Sequence, residues 1–478
     1  MTTIAEALAD WATRPQTAEG AAAMRRMDVY ALDTLAVALA GTTAPSSLPM
    51  TRAILRAAGK PEATVMGVGP VTSAWDAALA NGAFAHALEL DDDHRIAVLH
   101  PGAVVVPAAL AACEAAAASG ETFLRALLVG YEVSCRLGSV FRGSQFYHGV
   151  HPTALCGVFG AAAAAAIAFR LDRDAFVRAL GISGTQASGL TEWRADGSWI
   201  KRLHPGRAAQ SGVLAARLAQ EGFTGPSTIF EGDGGFFAVF SFGEPFDPAC
   251  MTRDLGTRHV ALGTAIKPYP CCRFEHGAID LALQAGREGV VADDIERVCV
   301  RIYRTGVLSY HPEPKNAVDA QFNVPYAVAV ALLRGAVRLR DFSEEAIRNQ
   351  DVLRLCGRID VREDPEFTAK YPDEYWVELR IRLRNGDERR FVSTCPSGDP
   401  EAAQYRSDGG LLRREVERKA ASLLSECGFA DRVRPLVSAV SVLPHAPDLR
   451  AVASAVGAGL QSRAGGPEQS SAERRRAV

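Results

Sequence analysis

Three histidines stand directly before a proline at the head of an apolar, alanine-rich stretch: His100-Pro101, His151-Pro152 and His204-Pro205. Proline lacks a backbone N–H and is tolerated in the first turn of a helix, so each pair reads as a helix start. A helix N-terminus carries about half a positive charge together with unpaired N–H donors, and it attracts anions. Imidazole is the side chain that most readily exchanges a proton near neutral pH. If the three starts converge, they wall a pocket for a multiply charged carboxylate with proton-transfer groups in place.

Four further groupings carry polar chemistry. His86, Glu89, Asp91, Asp92, Asp93 and His94 precede His100 closely. They read as a solvated acidic turn, as acids that orient a histidine, or as oxygen and nitrogen ligands for a divalent metal. Lys201 and Arg202 lie just ahead of His204, where their charges add to the helix dipole. They are either a basic surface loop or, with Trp193, Gly197 and Trp199 beside them, a shaped anion-binding loop. Lys267, Cys271, Cys272, Arg273 and His276 are packed into ten residues stiffened by Pro268 and Pro270. That stretch is a ligand site at a domain junction or a structural joint with buried thiols. A Cys272 thiolate would need a base such as His276. His148 and His151 form the last group, and the recurrence of His-Pro singles out His151.

The elements that must hold these residues are mostly helical up to about residue 245. Met27 to Leu39, Ala103 to Ala118, Gly157 to Phe169 and Pro205 to Gln220 all show helical spacing or composition. After Lys267 the texture changes. Arg297 to Tyr303 alternates as a half-buried strand, and Gly357 to Val361 suits another. Tyr375 to Leu383 and Arg389 to Thr394 flank Asn385-Gly386, which predicts a type I′ hairpin. Val324 to Leu333, Leu411 to Leu424 and Asp431 to Val442 read as helices. The stretch from about 456 to 478 has the Gly, Ser, Glu and Arg content of a disordered tail.

The 478 residues carry a net charge of -3, with 48% hydrophobic and 22% charged residues. This balance gives no reason to expect nucleic acid or an anionic membrane as partner. No stretch reads as a bilayer span, and the N-terminus, with Glu6 and Asp10, does not read as a secretion signal. The ten cysteines are scattered without a CxxC, which suits a reducing cytoplasm.

Six segments, in order, resemble the MmgE/PrpD family of 2-methylcitrate dehydratases, cis-aconitate decarboxylases and iminodisuccinate epimerases. They are LDTLAVALAG, NGAFAHALELDDDHRIAVLHPGAVVVPAALA, GVHPTALCGVFGAAAAAA, IKRLHPGRAAQSG, KPYPCCRFEHGAID and AQFNVPYAVAVALL. The resemblance implies a mainly α fold: an all-helical domain from 1–266 and 400–455, and a smaller α+β lid over 267–399. It also implies a homodimer, a site in the cleft between domains, a small polycarboxylate substrate, and neither metal nor organic cofactor.

By position, the family's active-site histidines fall on His100 and His151, and its lysines on Lys201 and Lys267. Glu89 replaces an aspartate, while Asp91 and Asp92 keep the following acidic pair. Cys272 stands where the decarboxylases carry a histidine, and the Ala-Glu-Phe-His pattern of the methylcitrate dehydratases is absent.

The implied chemistry starts at a carbon α to a carboxylate. That proton is weakly acidic, so a base and cations that hold the enediolate are needed. Lys201, Lys267 and His204 are expected to hold carboxylates, with Arg202, Cys272, Arg273 and His276 as further binding residues. His151 or Lys201 is expected to move the proton, with His100, oriented by Glu89 or Asp91, as the opposite acid. Dehydration, epimerisation and decarboxylation all fit. Two alternatives are a metal-dependent hydrolase using Asp91, Asp92, His94 and His100, and a non-catalytic polycarboxylate-binding homologue.

Overall fold

All 17 residues of the helix Pro152–Ala168 are buried. A helix that is apolar all round must be packed on every side, and its run of alanines and glycines lets its neighbours come close. The computed structural model describes residues 2–57, 59–307 and 313–457. Gly120–Phe141, Gly102–Ala115 and Ile200–Gln220 surround the buried helix. A Cβ on Gly160 would lie 2.6 Å from the Gly130 carbonyl oxygen, and one on Gly212 would lie 2.4 Å from the Ala161 Cβ. Both crossings therefore need glycine.

Ala18–Gly41 and Ala74–Ala85 complete this layer, and Leu411–Glu426 and Val433–Ser441 pack back onto Ala18–Gly41. Val416, Ala420, Leu424, Leu436 and Val440 join the same core as Leu32, Leu35 and Val37. The two ends of the chain thus share one hydrophobic core, as expected of a mainly α fold.

A second core runs from Cys271 to Phe391. Its sheet has the order Ile359–Glu363, Ile295–Ile302, Val377–Leu383, Glu388–Ser393, with the first pair parallel and the others antiparallel. His276–Arg287 and Val324–Arg334 supply buried residues to this core. The two cores meet where Val98 packs against the second core and where Gln321 donates to the Leu88 carbonyl at 3.1 Å.

Several expectations change. The third His-Pro pair is not a helix start: the helix is Ile200–Gln220, with Pro205 inside it. The residues Ile200 to Leu203 already form a first turn, so it is Lys201 that sits at the N-terminal end. The hairpin is not type I′, which needs positive φ at both central residues. Only Gly386 is left-handed there (φ 93°), and the Gly386 N–H bonds the Leu383 carbonyl. The predicted tail lies outside the described residues except for 456–457, which end the helix Arg450–Gly457.

Candidate active site

The helix Ala74–Ala85 is capped by His86, and it crosses Ile200–Gln220 where Gly82 meets Gly206. A Cβ on Gly206 would lie 2.2 Å from the Leu79 carbonyl oxygen. This close crossing delivers His86 to Lys201. His100 and His151 arrive from the starts of Gly102–Ala115 and Pro152–Ala168, where His151 is the N-cap and Pro152 the first helical residue. The His100 N–H donates to Thr153 Oγ1 at 3.1 Å, tying the two starts together. The imidazole centroids of His86 lie 4.9 Å from His100 and 5.7 Å from His151.

A continuous set of polar contacts joins these side chains. His86 Nδ1 donates to Asp91 Oδ2 at 2.7 Å, and His86 Nε2 lies 2.7 Å from Lys201 Nζ. Lys201 also donates to Glu89 Oε1. Lys267 Nζ donates to the Glu89 carbonyl at 3.2 Å and lies 3.7 Å from its Oε2. Glu89 itself is left-handed, with φ 53°, a conformation that costs a non-glycine residue about 1–2 kcal/mol. Strain of this kind gathers at functional sites, where surrounding contacts hold it in place.

These groups face a cavity of about 440 Å³ between the two cores, a size suited to a small ligand. Glu89, Asp93, His100, His151, Lys201, Lys267, Cys272 and Arg273 all contribute to its wall. Phe322 and Trp193 place their rings 5.2 and 5.8 Å from Lys201 Nζ. Arg273 is held open by backbone, donating to the Ser397 carbonyl at 2.7 Å.

Burial and charge set the protonation states. Burial opposes charge on Glu89, but Lys201, His86 and Lys267 overcome it and hold the carboxyl down at about 2. Asp91 is likewise well below the usual range: burial opposes its charge, and His86, bonded to it through Nδ1, outweighs that burial. Burial draws Lys201 below its ordinary value, with Glu89 pulling the other way and Lys267 reinforcing the shift. Lys267 goes upward, because Glu89 and Asp91 outweigh its burial. Burial, with Lys267 for His100 and Lys201 for His151, keeps both imidazoles neutral.

The tautomer of His100 follows from its bond. Its Nδ1 lies 2.7 Å from the Asp92 carbonyl oxygen, an acceptor only, so Nδ1 carries the hydrogen and Nε2 is bare. In this tautomer His100 offers a hydrogen-bond acceptor at Nε2. Its orienting partner is the Asp92 backbone, whereas Asp91 orients His86 and Glu89 holds Lys201.

Arg202, His276 and His204 lie outside the cavity wall, and Cys272 lines it. Lys201 and Arg202 point about 100° apart on their helix, and Arg202 turns away to Ser46 Oγ at 3.0 Å. His276 does not reach the cavity; its Nε2 bonds the Cys271 carbonyl and its Nδ1 takes a bond from Arg273 at 3.2 Å. His204 stands behind His151, Nδ1 to Nδ1 at 3.1 Å. Burial pushes the Cys272 thiol up to about 12, so it is no thiolate at neutral pH.

The acidic metal set is not assembled. Asp92 accepts from Tyr131 and Gly102, and His94 bonds Val260 and Ala97. His86, His100 and His151 bring ring nitrogens within 4.8 Å of one another. Both His86 nitrogens are already engaged, however, and two ammonium groups stand alongside. That donor set does not fit a divalent cation.

Two residues were not among the predicted site residues: His86, which lies behind Lys201, and Asp93, which lines the cavity. His86 belongs to the cluster that sequence offers as a solvated turn, as acids orienting a histidine or as metal ligands, and its spacing of five residues from Asp91 fits the second of these. Asp93 has an unpartnered, buried Oδ2, and burial raises its carboxyl to about 6.

Residues 6–249 match the MmgE/PrpD N-terminal domain, and residues 269–435 match the MmgE/PrpD C-terminal domain. The chain belongs to the MmgE/PrpD family. Among relatives of this MmgE/PrpD chain is a cis-aconitate decarboxylase-like protein of Aspergillus oryzae. It is 28% identical over 466 residues, covering 92% of this chain and 95% of that protein. A cis-aconitate decarboxylase of Aspergillus terreus is 30% identical, covering 72% and 75%. A 2-methylcitrate dehydratase of Escherichia coli is 26% identical, covering 50% and 51%. The chain is an enzyme of the lyase type. No helix among the described residues is long and apolar enough to cross a membrane.

Proposed function

We propose that this enzyme removes the proton α to a carboxylate of a small di- or tricarboxylate, without metal or organic cofactor, and then breaks a carbon–oxygen bond. One observation carries the reading: Lys201, Lys267 and Arg273 line one enclosed cavity together with the neutral imidazoles of His100 and His151. Basic side chains that open onto one enclosed cavity suit an anionic ligand. Arg273, bonded to backbone carbonyls and not to a carboxylate, suits a second substrate carboxylate.

In this reading Lys267 and Arg273 hold the carboxylates, and Lys201 takes the α-proton. Lys267 stabilises the enediolate, acting where charge develops. The electron pair of the broken C–H bond forms the double bond as the neighbouring C–O bond breaks. His100, with its bare Nε2, accepts from the substrate hydroxyl. Asp93, able to carry a proton near neutrality, supplies it to the departing oxygen, which leaves as water.

Decarboxylation is the second reading, favoured by the cis-aconitate decarboxylase relatives that span most of the chain. Proton NMR in D₂O with citrate-, aconitate-, tartrate- and aspartate-like acids tests both. A new vinyl signal supports dehydration, and loss of carboxylate as CO₂ supports decarboxylation. Deuterium wash-in alone supports an isomerase, and silence across the panel favours a binding homologue.

A homodimer is part of the proposal. Leu48, Trp199 and Ile200 are exposed apolar side chains on two segments joined by the Arg202–Ser46 bond, and light scattering measures the mass.

A further inference from the structure

We infer that Asp91 and His86 form a proton relay that holds Lys201 as a neutral amine, so that Lys201 is the group able to take the substrate proton. This deepens the proposed function and rests on it for the identity of the reacting proton.

The geometry is an ordered chain of acceptor, imidazole and amine. Asp91 Oδ2 is 2.7 Å from His86 Nδ1, and His86 Nε2 is 2.7 Å from Lys201 Nζ. All three residues are more than nine-tenths buried. The carboxylate fixes the hydrogen on Nδ1, so the Nε2 lone pair points at Lys201. The same logic operates where a carboxylate orients an imidazole toward a nucleophile. Here the activated group is an amine, and no bond to carbon is formed.

The step balances. The Lys201 ammonium passes one proton to His86 Nε2, giving an amine and an imidazolium held against the Asp91 carboxylate. The total charge is unchanged, and the amine then takes the α-proton. The surroundings decide on which side the shared proton rests. Lys267, a second buried cation, disfavours charge on Lys201, and the Asp91 carboxylate stands 2.7 Å from His86 Nδ1, at the far end of the chain of contacts. Glu89 pulls toward the ammonium. His100, His151 and His204 also face Lys201, and burial keeps each of them neutral near pH 7. His86 and Asp91 are positioning residues, since they act through Lys201.

The test compares wild type with His86→Gln and Asp91→Asn. Trace labelling with acetic anhydride from pH 6 to 11, read by peptide mass spectrometry, reports the Lys201 amine without requiring turnover. The exposed Lys60 is the internal reference. The wild-type midpoint for Lys201 is expected at least one pH unit below that of Lys60, and each substitution is expected to raise it by a unit or more. For any acid active in the NMR panel, the acidic limb of kcat moves up by the same amount. At pH 7 kcat falls about tenfold or more while KM stays within about threefold.

An unchanged midpoint in both variants, or an equal loss of kcat at every pH, overturns the relay. If His86→Gln does not fold, the nearly isosteric Asp91→Asn supplies the measurement. A shifted midpoint with silence across the panel upholds the relay and removes the proposed reaction. An active panel with unshifted midpoints does the reverse.

Discussion

Gly206 lies directly against Gly82, so that a Cβ added to Gly82 would stand 2.6 Å from the Gly206 Cα. This contact sets how near the helix carrying Lys201 comes to the helix that ends at His86. Gly206→Ala is expected to push the helices apart, since its Cβ would meet the Leu79 carbonyl oxygen at 2.2 Å. Overpacking of this kind costs about 1–3 kcal/mol. Urea denaturation measures that loss. Activity should fall by more than the unfolded fraction explains, because the His86–Lys201 bond lengthens. A variant with wild-type turnover would show that the crossing does not set the site.

Lys201→Ala and Lys267→Ala should differ in kind. Removing Lys201 takes away the proton acceptor, and the deuterium wash-in rate is expected to drop about 10²- to 10⁴-fold with little change in KM. Removing Lys267 weakens both substrate binding and enediolate stabilisation, so KM rises and kcat falls together. If wash-in by Lys201→Ala stays within a few-fold of wild type, the assignment of the base is wrong.

Glu89→Gln removes the carboxylate that Lys267 and the Lys201–His86 pair keep ionised. Because the folded-state carboxyl is held at about 2, below its ordinary 4.5, Glu89 contributes stability that is fully present above pH 4.5. That stability is lost as pH falls toward 2. The melting temperature of the variant should therefore lie below wild type at pH 7, and the gap should narrow as pH drops below 4.5.

Asp93 has the opposite sign. Burial raises its carboxyl from 3.8 to about 6, so the native state favours the protonated form, and stability is lost as pH rises through that interval. The shift corresponds to at most about 3 kcal/mol. Asp93→Asn should melt higher than wild type at pH 8 and the same at pH 3.5. As the proposed acid, Asp93 must also hold its proton to act, so kcat should decline on the alkaline side in wild type. The variant should be slow throughout and lack that limb. An unaltered alkaline limb in Asp93→Asn would assign it to another group.

What sequence showed of this architecture was local or patterned. Pro101 and Pro152 announced helix starts because the missing N–H is harmless there, and both starts do meet at His100 and His151. The same cue misled at Pro205, because a turn had already formed over Ile200 to Leu203. Helical spacing gave the core elements, whereas the Gly82–Gly206 crossing is a long-range contact with no local signal. The pairing of His86 with Lys201 carries no local signal, because the two are 115 residues apart in the chain, although Asp91 lies only 5 away. The bare Nε2 of His100 likewise depends on a backbone carbonyl, which no side-chain pattern announces.

Arg273 and Arg202 provide the last contrast, since sequence offers both as substrate-binding residues. Only Arg273 lines the cavity, and its guanidinium is steadied by the bare Nδ1 of His276 and by the Ser397 carbonyl. His276→Ala should free the guanidinium to move and raise KM several-fold while kcat changes little, the mark of lost ground-state positioning. His276→Asn, which keeps an acceptor, should restore part of the affinity. Arg202→Ala, whose guanidinium bonds Ser46 outside the cavity, should leave kcat and KM within about twofold. Steady-state kinetics on one acid from the panel checks all three. A KM effect for Arg202→Ala equal to that of His276→Ala would mean that substrate binds outside the cavity described, on the Ser46 side of the helix.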